Sequence, residues 1–483
     1  MLMGLEVARA RQRVKRTGPD LARRPRPDKE PGTPGEDGLS KIDHIVILMM
    51  ENHSYDNYLG MLTSRGDGFT LGEDGQPTET NPSGDGEPVR AWHLKKTQQC
   101  KHVPTQSWAA CHKQWNNGHL DGFVTGVKET VADLEADPKL SMGYWTEADL
   151  PFYYGLAKTF PLATRWFSSC LGPTFPNRRF MIAGTANGLI DDLPFGMIDY
   201  PAKGTIFDLL TAHKISWANY HIISPSRFRW QRIAHAHGLR LLRLLGGIVA
   251  ALVPAAVPAL LSKLQITADL YPLGLLRTIN HVQPMGAFWE AAKTGKLPSV
   301  AIVDPDFSFC SEENPQDVQD GEGFAAEVIN AVMNGPAWEK TLLIWLYDEH
   351  GGYYDHVPPP AAVPPDDVLG LSSFERYRIM GLIKNTKFGK QVAATNTGPR
   401  TYDRLGFRVP AVIVSPYARP DCVLERDYDH TSVLRLIEHK WNLPPLTRRD
   451  EAASTPLEAL DLDGEPHFKT PPKLPAPARS FPR

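Results

Sequence analysis

TLLIWLYDEHGGYYDHVPPP, residues 341–360, decides the fold. Its first seven residues are apolar throughout instead of alternating, as a strand buried on both faces must be. Polarity then switches abruptly to Asp348 and Glu349, ahead of a Gly351-Gly352 turn. The same kind of run recurs on both sides: HIVILMM at 44–50, SWANYHII at 216–223, PSVAIVDPD at 298–306 and VPAVIVSP at 409–416. Helical patterns separate these runs: TIFDLLTAHK at 205–214, GFAAEVINAVMNG at 323–335 and TSVLRLIEHKW at 431–441. Strand alternating with helix predicts an α/β domain with a largely parallel sheet. Three strands run directly into acids, Met50 into Glu51, Val303 into Asp304, and Tyr347 into Asp348 and Glu349. Ligands of open α/β sheets lie beyond the carboxyl ends of the strands, so these acids are expected to converge on one site.

A chain of 483 residues allows two or three domains or one large one. A formal charge of −3 gives no support to nucleic-acid binding through overall positive charge, so no nucleic-acid partner is expected. Apolar content of 42% and charged content of 22% exclude a largely disordered, collagen-like or polytopic membrane chain. Prolines number 43 against 39 glycines, which demands many ordered loops and favours loop-built sites. Five cysteines in no CxxC spacing read as free thiols of a reducing compartment, with a Cys100–Cys111 bridge as the alternative. Residues 1–40 read as a flexible basic arm with no signal-peptide core, residues 41–464 as the catalytic domain, and 465–483 as a Pro-rich tail. A cytoplasmic protein is the expectation.

Three segments carry the chemistry. In MMENHSYDNYLG, 49–60, Glu51 and Asn52 are neighbouring hard oxygen donors suited to Mg²⁺, Ca²⁺ or Mn²⁺; the alternative is an Asx turn capping the next helix. In YDEHGGYYDHVPPP, 347–360, Asp348, Glu349, His350, Asp355 and His356 crowd together after an apolar strand. Adjacent buried acids repel unless a cation neutralises them, and a solvated loop is the competing reading. In LGPTFPNRRFMIAGT, 171–185, Pro176 fits the first turn of a helix, which places Thr174 just before an N-terminus that favours anions. Thr174 there is either a nucleophile, with Asn177 and Arg178 near enough to hold phosphate oxygens, or only a capping residue.

Together with KIDHIVILMMENHSYDNYLG and MGYWTEADLPFYYGLAKTF, these blocks resemble, in order and over roughly residues 41–445, those of the bacterial and plant phosphoesterase family. That family holds non-haemolytic, phosphatidylcholine-preferring phospholipases C and a group of acid phosphatases. The resemblance implies an alkaline phosphatase-like fold, a central mixed sheet with helices on both faces. It implies one divalent metal ion on Glu51, Asn52, Asp348 and Glu349, with Ca²⁺, Mg²⁺ or Mn²⁺ preferred over Zn²⁺. It further implies Thr174 as nucleophile, His112 at the phosphate, and His350 or His356 as proton donor, with Asp355 beside the substrate. Threonine marks the phospholipase branch and serine the acid phosphatase branch. His112 and His119 have a plain surface reading, and His430 a capping one. One departure stands out: many members have Glu-His-Pro after the strand at 298–306, whereas this chain has Glu313 and Asn314.

The expected activity is metal-dependent hydrolysis of a phospholipid through a phosphothreonine intermediate. The alternatives are an acid phosphatase on small soluble phosphoesters and a non-catalytic lipid or phosphate binder. An insertion at about 230–275 carries LRLLRLLGGIVAALVPAAVPALLSKL at 239–264, interrupted by Pro254 and Pro258. It reads as a buried or lid-like hairpin, as a peripheral membrane contact flanked by Arg232, Arg240 and Arg243, or as a span. The sequence leaves the oligomeric state open.

Overall fold

The computed structural model describes residues 38–482 except 85, 101–103, 131–136, 194–198, 223–266, 268–269 and 378–383, together with residues 12 and 15. The apolar run at 239–264 and nearly all of the N-terminal arm lie outside the described residues.

Among the described residues the central sheet comprises β1 (His44–Met50), β2 (Leu162–Ala163), β3 (Trp217–His221), β4 (Val282–Pro284), β5 (Val300–Val303), β6 (Thr341–Tyr347), β7 (Ala411–Val414) and β8 (Val423–Leu424). Their spatial order is β8-β2-β7-β6-β1-β5-β3-β4. β1 runs parallel to both β6 and β5, β3 runs parallel to β5 and β4, and β8 runs parallel to β2. β7 is antiparallel to β6 and β2, which makes the sheet mixed. Every residue of β6 is buried, as are all of β1 except His44, so both faces of the sheet centre are covered.

All five quoted apolar runs become strands. β2, β4 and β8, two or three residues long, are too short to leave a periodic signal in sequence. The register sets Met50 opposite Tyr347 and Val303 opposite Leu48. The acids that follow therefore emerge at one edge of the sheet.

Five helices frame that edge: α1 (Trp108–Trp115), α2 (Pro151–Thr159), α3 (Thr174–Ala183), α4 (Val318–Met333) and α5 (Thr431–Trp441). α5 has the bounds its apolar spacing predicts. α4 starts at Val318 instead of Gly323, because the Asp317 side chain accepts from Gln319 N and caps an earlier turn. Its glycines serve close packing: a Cβ on Gly323 would lie 2.5 Å from the Arg479 carbonyl oxygen.

That carbonyl belongs to the Pro-rich tail, which lies along α4. Ala478 N donates to Glu322 Oε2 at 2.9 Å, Arg479 pairs with Asp317 at 2.9 Å, and the Phe481 ring packs 5.2 Å from Phe324. Buried Glu322 also accepts from Phe152 N at 2.8 Å, tying α2, α4 and tail together. All five cysteines are free. Among the described residues no helix is long and apolar enough to cross a membrane.

Candidate functional site

Arg178 sits at the centre of the sheet edge. α3 presents it, wholly buried, to the ends of three strands at once. Its Nε lies 2.9 Å from Asp348 Oδ2 and 3.2 Å from Glu51 Oε1, and its Nη1 lies 3.3 Å from Asp304 Oδ1. Nη2 donates to the carbonyls of Met49 and Met50. Arg178, expected at the phosphate, is thus committed to the carboxylates that end β1, β5 and β6. Asn177 is equally occupied, since its amide bonds Cys170 N, Gly172 O and Pro173 O and shapes the loop ahead of α3.

Thr174 is the first residue of α3, one position further into the helix than the sequence spacing suggests, with Pro173 as the N-cap. Its Oγ1 donates to Asn52 Oδ1 at 3.4 Å. The same amide faces Asp348 Oδ1 at 3.0 Å and Glu349 Oε1 at 2.9 Å; turned over, it donates to both. With its oxygen inward, an amide, two carboxylates and a hydroxyl converge with no proton between the amide and the acids. Without a cation the turned amide satisfies both acids, whereas a bound cation would favour the oxygen-inward arrangement. Glu51 Oε1 is buried and makes no hydrogen bond, its close charged neighbour being Arg178 Nε at 3.2 Å. Among the described residues no three His, Cys, Asp or Glu side chains are grouped as a metal site. The donors that do converge are mixed in type and all oxygen, which fits a hard divalent ion. Gly351, at φ +67°, closes this corner: a Cβ there would lie 1.9 Å from the Asn52 carbonyl oxygen.

Acids outnumber the one guanidinium. Burial pushes the Glu51 and Glu349 carboxyls well above the usual range, despite Arg178 beside Glu51. Burial raises Asp348 to about 6, against the pull of Arg178. Glu313, which with Asn314 stands where many family members have Glu-His, is raised to about 7 by burial and by the Asp348 charge. Its neighbour Glu312 is buried in a cage of tyrosines, accepting from Tyr58 at 2.6 Å, Tyr153 at 2.5 Å and Tyr347. Glu312 itself stands at φ 76°, so the cage holds the backbone turn that presents Glu313.

The histidines lie around the site in different states. His350 is buried, its Nε2 2.8 Å from Gln114 Oε1, and burial lowers it to about 3, so it stays neutral. His356 ion-pairs with Asp56 at 2.7 Å and Asp67 at 3.4 Å; burial opposes its charge, yet Asp56 lifts it to about 9. Arg408 locks that cluster by pairing with Asp56 at 3.0 Å and Asp355 at 2.8 Å, so Asp355 serves the network. His112, on α1, is lowered by burial; its Nδ1 contacts the Trp108 carbonyl at 2.7 Å and its ring packs on Trp108. His430 braces the acid pair from behind, with Nε2 donating to the Asp348 carbonyl at 2.6 Å.

Two groups escaped the sequence reading. Asp192 accepts from Phe175 N at 2.8 Å in the first turn of α3, and burial raises it to about 8. The Asp191-Asp192 pair within an apolar stretch was the available signal. Gln114, which fixes His350, left none. Asp192, Ile190, Leu193, Pro173 and Trp108 line a cleft of about 300 Å³ that abuts Thr174 through Pro173.

The model of the Phosphoesterase family matches residues 42–444. The chain is 29% identical to phospholipase C A of Mycobacterium tuberculosis over 474 residues, covering 92% of this chain and 81% of that one. It is 26% identical to non-specific phospholipase C3 of Arabidopsis thaliana, covering 92% and 78%. With hemolytic phospholipase C of Pseudomonas aeruginosa the identity is 29%, covering 86% of this chain and 54% of that protein. The matched span contains the sheet, the acids at its edge and the threonine that opens α3, and the chain belongs to the phosphoesterase family as a hydrolase of phosphoric ester bonds.

Proposed function

We propose that the chain is a metal-dependent phospholipase C acting on a phospholipid through a covalent phosphothreonine at Thr174. The observation that carries this reading is the Thr174 hydroxyl 3.4 Å from the Asn52 amide, which itself lies 3.0 Å from Asp348 and 2.9 Å from Glu349, at a site where acids exceed the Arg178 guanidinium. Glu51, Asn52, Asp348 and Glu349 would hold a hard divalent cation, whose chemistry is to lower the pKa of the adjacent hydroxyl and offset phosphoryl charge.

The remaining steps belong to the chain's own groups. Thr174 at the start of α3 places the phosphate against the helix N-terminus, where N–H groups and the dipole favour negative charge. Its Oγ forms the bond to phosphorus as the bond to the diacylglycerol oxygen breaks, leaving the head-group phosphate on threonine. Water then cleaves that ester and restores the hydroxyl. Arg178 holds Glu51, Asp304 and Asp348 in register for this geometry.

We assign protonation of the leaving alcohol to Glu313, which lies near enough to Asp348 and Arg178 to feel both charges. His350 and His356 are committed to Gln114 and Asp56.

Incubating the purified chain with phosphatidylcholine and a divalent cation, then identifying products by mass spectrometry, tests the reading. Diacylglycerol and phosphocholine are the expected products. Hydrolysis of p-nitrophenyl phosphate with no diacylglycerol released would assign the site to soluble monoesters instead.

A further inference from the structure

Seven large apolar side chains are exposed among the described residues; Leu71, Trp92 and Phe309 stand apart, and the other four lie close together in sequence. Val363 is 44% exposed, Val368 44%, Leu369 61% and Leu371 45%. All four fall in one nine-residue stretch, VPPDDVLGL, residues 363–371.

The stretch is tied down. Leu371 N donates to Gly188 O at 2.9 Å, and Gly370 N donates to Arg400 O at 2.7 Å. The Asp366 carboxylate accepts from Thr185 at 2.7 Å, and Asp367 pairs with Arg448 at 2.8 Å. These anchors fix the backbone while the four aliphatic side chains remain partly open to water, and apolar patches on a monomer's surface are often functional.

The loop leads to the nucleophile in short steps. A Cβ on Gly370 would lie 2.7 Å from Ile190, so Gly370 packs closely against that residue. Ile190 lines the cleft together with Asp192 and Pro173, and Pro173 precedes Thr174. Just past the loop, Ser373 N donates to Asp191 at 2.7 Å. The patch therefore stands at the rim of the cleft.

We infer that loop 363–371 is the surface by which the enzyme docks on a phospholipid bilayer. The inference rests on the phospholipase reading, because only a membrane-borne substrate gives a rim patch this purpose. The size of the patch favours a lipid surface over a second copy: a stable protein interface takes roughly 20–30 residues a side, whereas this one spans nine. A few aliphatic side chains set into the interfacial zone suffice for reversible membrane contact. The loop offers no cluster of Lys or Arg that would demand an anionic surface, so a zwitterionic bilayer suffices.

The test uses the full chain and phosphatidylcholine vesicles, comparing wild type with the double variant Val368→Asp, Leu369→Asp and with Leu369→Trp. Vesicle flotation reads docking, release of diacylglycerol reads interfacial activity, and p-nitrophenyl phosphorylcholine reads the site alone. The double variant should lose at least about tenfold in flotation and in vesicle hydrolysis, keeping its melting temperature and its rate on the soluble ester. Leu369→Trp should bind vesicles more tightly.

Unchanged flotation of the double variant, or no flotation of wild type, overturns the inference. So does an equal loss on both substrates by a folded variant, which would make the loop part of the site. A wild-type dimer by light scattering that the double variant dissolves would assign the patch to a second copy. Loop-dependent flotation by a chain that cleaves neither ester would uphold docking and remove the phospholipase reading.

Discussion

Thr174 is a small side chain whose hydroxyl has one close polar neighbour, Asn52 Oδ1. Thr174→Val replaces that hydroxyl by a methyl of similar volume, so the fold should stand while kcat falls by at least about 100-fold. Steady-state kinetics on phosphatidylcholine, with circular dichroism to confirm folding, check this; a near-wild-type rate removes the nucleophile. Glu313→Gln should leave binding intact and abolish the limb of the pH–rate profile that reports proton donation, with the loss concentrated in kcat. An unchanged profile returns the role of acid to another group. At this scale the sequence was legible where a residue ends a strand, because a register that aligns β1, β5 and β6 leaves Glu51, Asp304, Asp348 and Glu349 nowhere else to go. It was less legible on α3. Asn177 and Arg178, three and four residues on, do share a helix face with Thr174. What the sequence conceals is their partners, because the acids ending three strands claim Arg178 and the loop ahead of α3 claims Asn177.

The tail shows what composition conceals at the scale of an element. A Pro-rich segment reads as a solvated appendage, because it forms neither helix nor ladder. Yet an extended strap needs no internal hydrogen bonds, and a single buried acceptor such as Glu322 can seat it. Deleting residues 475–483 strips Glu322 of a donor and uncovers Phe324 beneath Phe481. The expected cost is about 2–4 kcal/mol, read as a lower urea midpoint. An unchanged midpoint would mean the strap adds nothing to stability. The two- and three-residue strands β2, β4 and β8 were hidden for a different reason, since their pairing is set by neighbours across the sheet and not by their own pattern.

Across the whole molecule, charge balance couples stability to metal and to pH. In metal-free protein the folded values of Asp348, Glu313 and Asp192, about 6, 7 and 8, lie above those of unfolded carboxyls. The folded state then binds more protons than the unfolded one, so metal-free stability should fall as pH rises from about 5 to 8. A divalent cation on Glu51, Asn52, Asp348 and Glu349 would displace the protons of those carboxyls, and its stabilisation should grow over the same window, reaching about 2.7 kcal/mol at a concentration 100 times its Kd. Thermal melts at pH 5 and pH 8, with chelator and with added Mg²⁺, Ca²⁺ or Mn²⁺, read both slopes. A metal-free protein that gains stability with pH would contradict the assigned charge excess. The central claim is that the threonine opening α3 carries the phosphoryl group during turnover. Acid-quenching the enzyme at steady state with phosphatidylcholine, followed by mass spectrometry of its peptides, tests this most directly. The account predicts a phosphocholine adduct on Thr174 that appears with substrate and vanishes as substrate is exhausted; continuing release of diacylglycerol with Thr174 unmodified at every time point would contradict it.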